Sequence, residues 1–148
     1  LMMAPALFVP ESYSVSVTNN AGAIIKNNTF KEFKNYPIYC STSAKTSIIG
    51  NHLERSPLLV TIYISAGVHE IFDNTISVNR TAGNPIVIYI NGSAGSIVSG
   101  NTINNLSADT ATAIQTTTST NSKIIGNRIF KGTINKHSSD TIDGNMIV

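Results

Sequence analysis

Three tyrosines, Tyr39, Tyr63 and Tyr89, recur in one setting: Ile38-Tyr39-Cys40, Ile62-Tyr63-Ile64 and Ile88-Tyr89-Ile90. Alternation of this kind puts the flanking residues on one face of a strand and the tyrosine on the other. Ser16, between Val15 and Val17, and Gln115, between Ile114 and Thr116, occupy the same position. Outward tyrosines beside a hydroxyl and an amide suit a carbohydrate, because aromatic faces pack on the C–H faces of sugars while Ser and Gln serve sugar hydroxyls. Stacked tyrosines are also good strand formers that support one another across strands or build a subunit interface. Both readings stand on the residues alone.

Hydrolysis of a glycosidic bond needs two carboxylates roughly 5 to 9.5 Å apart. Of the eight acidic residues, two pairs are candidates: Glu70 with Asp73, close together in the chain, and Glu32 with Glu54, at matching places of adjacent repeats. Acids at corners and in loops occur in any repetitive β protein, so neither pair amounts to a catalytic signature. His52 has a side chain able to titrate near neutral pH, but its position implies no partner, and a solvated surface histidine is the simpler reading. Cys40, the single cysteine, excludes an internal disulfide and a multi-cysteine metal site, and reads as a buried, inert thiol. Neither a metal nor a cofactor is expected.

The composition narrows the scaffold that could carry these groups. Hydrophobic residues form 41% of the 148, enough for a real core, while charged residues form only 12%, too few to face long surface helices. Thr and Ile for strands, with Asn, Ser and Gly for corners, suit a β architecture with many turns. The net charge of +2 comes without any Lys/Arg run, which argues against a nucleic-acid partner. No apolar run reaches the ~18 residues of a membrane span. The first ten residues are apolar but lack a basic leader, so secretion cannot be read from them.

Those strands repeat. Six segments carry two apolar positions five residues apart with an Asn between them, and the asparagines are Asn28, Asn51, Asn74, Asn101, Asn127 and Asn145. The intervals between them run from 18 to 27 residues, which fits a solenoid of strands and not a helical repeat of about 33 or more. Three places before each Asn stand Ile25, Ile48, Ile71, Val98, Ile124 and Ile142; two places after stand Phe30, Leu53, Ile76, Ile103, Ile129 and Ile147. Both columns are apolar throughout and should point inward. The residue just before the Asn is Gly50, Gly100, Gly126 or Gly144, with Asn27 and Asp73 in the other two repeats, all types that accept a positive φ at a corner. An inward-turned Asn can bond to its counterpart one coil away, about 4.8 Å, forming a ladder. A third strand lies upstream, carrying the tyrosines, and the variable loops fall at Lys31–Tyr36, Glu54–Leu59, Ser77–Asn84 and Asn104–Ala111.

This pattern resembles the pectate-lyase-like superfamily of right-handed parallel β-helices, whose Asn ladder at the tight corner between the second and third sheets is matched by the six asparagines. The resemblance runs from about Tyr13 to Val148, and it implies an all-β domain of about six coils, with residues 1–12 leading into coils over 13–148. Both ends look cut, so a longer parent chain or a covering partner is expected. Members include lyases, hydrolases, epimerases, phage tailspikes and adhesins, so fold alone does not choose among functions. The Asp-Asp and Gly-His-Gly signatures of polygalacturonase-like members are absent, and the Asp residues are too scattered for the calcium cluster of pectate-lyase-like ones. The expectation is polysaccharide recognition, with or without degradation, as part of a tailspike-like or surface-glycan depolymerase protein. Such a protein would be extracellular or virion-associated, and a homotrimer would cover apolar surface such as Phe130 and Leu106. The alternative is a non-catalytic structural or adhesive solenoid.

Overall fold

The computed structural model describes residues 15–18, 22–31, 36–56, 60–80 and 83–148. The lead-in segment 1–12 and Glu32 lie outside them. The chain passes six times through three parallel sheets of six strands each. The first sheet holds Val15–Thr18, Ile38–Ser41, Val60–Ser65, Ile86–Asn91, Ala111–Gln115 and Gly132–Asn135. The second holds Ala23–Lys26, Thr46–Ile49, His69–Phe72, Ile97–Ser99, Lys123–Ile125 and Thr141–Asp143. The third holds Thr29–Lys31, His52–Ser56, Thr75–Val78, Thr102–Asn105, Arg128–Phe130 and Met146–Ile147. Third-sheet strands reach a few residues into the expected loops, because Val78 and Asn105 turn inward and stay buried.

Register follows the repeat. Ile25 pairs with Ile48, Ile48 with Ile71, Val98 with both Ile71 and Ile124, and Ile124 with Ile142. In the first sheet Ile38, Ile62, Ile88 and Ile114 align and are wholly buried, including Ile62, which stands one place later in its repeat than the others. One continuous core therefore runs down the axis, closed on three sides by aliphatic side chains. Cys40 belongs to it, fully buried, and burial pushes its thiol up to about 12, the inert state expected.

At the second-to-third-sheet corner, Asn27, Gly50, Asp73, Gly100, Gly126 and Gly144 all have positive φ, between 54° and 66°. The two side chains in this column each lie over a glycine of the following coil. A Cβ on Gly50 would stand 2.7 Å from Asn27 Oδ1, and one on Gly100 would collide with Asp73 Oδ1. The ladder asparagine follows. Asn74 Oδ1 accepts from the backbone N and the Nδ2 of Asn51 at 2.9 and 3.0 Å, while Asn74 Nδ2 donates to Ile48 O and Asn101 Oδ1, both at 2.9 Å. The same pattern links Asn28 to Asn51, Asn101 to Asn127 and Asn127 to Asn145. The four central members are buried, and every amide hydrogen bond they need is made, to a neighbouring asparagine or to a strand carbonyl of the preceding coil.

Candidate functional site

The outward face of the first sheet brings the expected residues into line. Strand pairing sets Ser16 beside Tyr39, Tyr39 beside Tyr63, Tyr63 beside Tyr89 and Tyr89 beside Gln115, and the column continues to Asn135. A second column runs parallel to it through Thr18, Ser41, Ser65 and Asn91. Both follow from the period of two along each strand.

Ring geometry decides what this face can offer. Tyr39 and Tyr63 stack with centroids 5.3 Å apart and planes 5° from parallel, so their faces are turned toward each other. Tyr36 leans on both, at 6.0 and 5.6 Å. Tyr89 stands nearly at right angles to Tyr63, 79° between planes and 5.4 Å between centroids. Asn91 Nδ2 donates to the Tyr63 hydroxyl at 3.0 Å, and Gln115 Nε2 donates to Thr117 Oγ1 at 3.3 Å. The face therefore presents ring edges, phenol hydroxyls and amides, with Tyr89 as the differently oriented ring. Tyr36 escapes the alternation because it precedes Pro37 outside the strand; an aromatic three residues before Tyr39 was the available signal.

Of the candidate acids, Glu54 and Glu70 lie on different sheets and each is engaged by a lysine. Glu54 meets Lys31 Nζ at 3.2 Å and His52 Nε2 at 2.9 Å on the third sheet. Lys31, and to a lesser degree His52, hold its carboxyl below the usual carboxylate range. Glu70 meets Lys45 Nζ at 2.6 Å and Ser47 Oγ at 3.1 Å on the second sheet, and Lys45 lowers its pKa likewise. A general acid in glycoside hydrolysis needs the opposite, a carboxyl raised toward neutrality. Asp73 sits exposed at the Asn corner with its φ of 54°, a turn position. His52 thus has a partner after all. Residues two apart on a strand share a face, and that spacing to Glu54 was legible. Phe130, expected as exposed apolar surface, is half-buried beneath the Arg128 guanidinium, 4.7 Å from its centroid, whereas Leu106 is 63% exposed.

A second polar column, unforeseen, lines the inside of the bend between the first and second sheets. Thr46, His69, Ser96, Ser122 and Asp140 each lie five residues before a ladder asparagine, and all are buried. Ser96 Oγ accepts from His69 N at 3.0 Å, and Ser93 Oγ donates to Gly67 O at 2.6 Å. Asp140 accepts from Ser122 N at 2.8 Å, Thr116 Oγ1 at 2.6 Å and His137 N at 3.0 Å. That last set explains why Thr116 stands where the other coils place Val17, Cys40, Ile64 and Ile90. His69 Nε2 donates to Ala66 O at 2.5 Å, which leaves Nδ1 as a bare acceptor without a partner. Burial holds its pKa below the ordinary histidine value, although the Ala66 carbonyl works the other way. Among the described residues no group of three His, Cys, Asp or Glu is placed to hold a metal, and no helix is long and apolar enough to cross a membrane.

A protein of Bacillus subtilis (strain 168), the uncharacterized protein YclG, is 97% identical over 140 residues, which are 95% of this chain and 24% of that protein. The chain thus spans about a quarter of the length of the curated relative it matches. No solved structure matches it. The sequence matches the right handed beta helix region family over residues 9–147, nearly the whole chain, and together with the three parallel sheets this makes the protein a member of that family.

Proposed function

We propose that this β-helix recognises a polysaccharide along the outer face of its first sheet, as the β-helical part of an extracellular or virion-associated, tailspike-like or glycan-depolymerising protein. The observation that carries the reading is the in-register column of Ser16, Tyr39, Tyr63, Tyr89 and Gln115. A linear polymer laid along the axis would meet one hydroxyl, ring edge or amide per coil, at the strand spacing of about 4.8 Å. The described coils supply recognition, and Glu54 and Glu70, held below the usual carboxylate range by Lys31 and Lys45, do not suit the general-acid role in cleavage. Homotrimer formation, if it accompanies this role, would cover apolar surface such as Leu106.

A structural or adhesive solenoid is the second reading, favoured by the Tyr39–Tyr63 stack, whose faces serve each other. Two variants separate them. Tyr89→Ala should abolish binding to a glycan-array hit while lowering stability only by its one ring contact, with Tyr63, about 0.5–1.5 kcal/mol. Tyr63→Ala should lower both, since it removes contacts with three rings worth about 0.5–1.5 kcal/mol apiece. Unaltered glycan binding by folded Tyr89→Ala would favour the structural reading.

A further inference from the structure

Resting on that reading, we propose that the first-sheet face selects an uncharged glycan, a neutral hexose or pentose polymer, over a polyuronate or other acidic polysaccharide. The six strands of this sheet contain no Asp, Glu, Lys, Arg or His. Charges lie on the other two sheets instead: Lys26, Glu70, Lys123 and Asp143 on the second, Lys31, Glu54, Arg55 and Arg128 on the third. Lys31, and Lys45 just before the second-sheet strand Thr46–Ile49, are already matched to Glu54 and Glu70.

The consequence follows from desolvation. A polyuronate carries a carboxylate on every sugar, and laying it on this face would strip water from each carboxylate without a cation to replace it. Arg or Lys ordinarily supplies that compensation. A neutral sugar asks only for exchange of hydroxyl hydrogen bonds, which the Tyr hydroxyls and the Gln115, Asn91 and Asn135 amides can make as donors and acceptors. Because no ion pair contributes, binding should also be insensitive to salt.

The test is an array of neutral polymers (β-glucan, xylan, mannan, galactan, arabinan) and polyuronates (polygalacturonate, alginate), with calcium present or absent and at low and high salt. Hits confined to neutral polymers, at least about tenfold tighter than any polyuronate and unchanged by salt, are expected. A polyuronate hit that equals or exceeds the neutral ones and weakens in salt would overturn the selectivity while leaving polysaccharide recognition standing. Silence across the array from protein with a β-rich circular dichroism spectrum would remove the recognition reading itself.

Discussion

The two turns of each coil solve one problem in different ways. At the corner between the second and third sheets a single residue type recurs, and each Asn both supplies and uses the same bonds as its neighbour. At the bend between the first and second sheets the inward position passes through Thr46, His69, Ser96, Ser122 and Asp140, and each coil finds its own partners. The uniform corner leaves none of its buried amides unpaired. The mixed bend leaves Thr46 Oγ1, His69 Nδ1 and Ser122 Oγ without partners. Repetition of one side chain makes satisfaction cooperative; variety makes it local and incomplete.

The sharpest way to test this contrast is to break one rung of the uniform corner. Asn74→Ala would orphan Asn51 N and Ile48 O inside the column, at about 1–3 kcal/mol for each buried group. Asn145→Ala, at the end of the ladder and only partly buried, should cost clearly less by denaturant titration. Equal losses would show that the ladder does not act as a coupled column.

Next in size is the glycine beside that ladder. Gly100→Ala meets both a φ of +66° and the Asp73 carboxylate, whereas Gly126→Ala, at +62°, has no atom within 4 Å of its new Cβ. The left-handed conformation costs each roughly 1–2 kcal/mol, and Gly100→Ala should lose more. Adding Asp73→Gly should recover the difference but not the shared part.

A smaller effect belongs to the bend and depends on pH. His69 is neutral in the folded protein and its pKa is lowered, so the unfolded chain binds the proton more readily. Stability is therefore fully present above the unfolded value, about 6.5, and declines as pH falls below it toward the folded value. Denaturant midpoints should drop between pH 7.5 and 5.5 for the native chain, and less for His69→Gln. The smallest change is expected at Thr46, where removing a hydroxyl without a partner by Thr46→Val should be neutral or mildly stabilising, within about 1 kcal/mol. A loss larger than that would show the hydroxyl to be satisfied in solution.

The same contrast explains what could be read from the chain. The coil, its three strands and the Asn corner were legible because Asn28 to Asn145 repeat in kind and keep their apolar neighbours at fixed offsets. The outward tyrosine column was legible for the same reason, as Ile62 and Ile64 flank Tyr63 just as Ile88 and Ile90 flank Tyr89. The bend column was not, since Thr, His, Ser and Asp share only polarity and modest size, and the preceding bend varies in length. Nor could alternation reveal that Tyr39 and Tyr63 turn their faces to each other, or that Lys31 and Lys45 neutralise the candidate acids. Those depend on rotamers and on neighbours a whole coil away.

The first sheet is the surface proposed to meet the glycan. Backbone amide shift mapping during titration with an array hit addresses this directly. Perturbations concentrated on Ser16, Tyr39, Tyr63, Tyr89, Gln115 and Asn135, with the second and third sheets quiet, are predicted. Perturbations centred instead on the His52–Arg128 face of the third sheet, or on the Lys45–Glu70 face of the second, would contradict it.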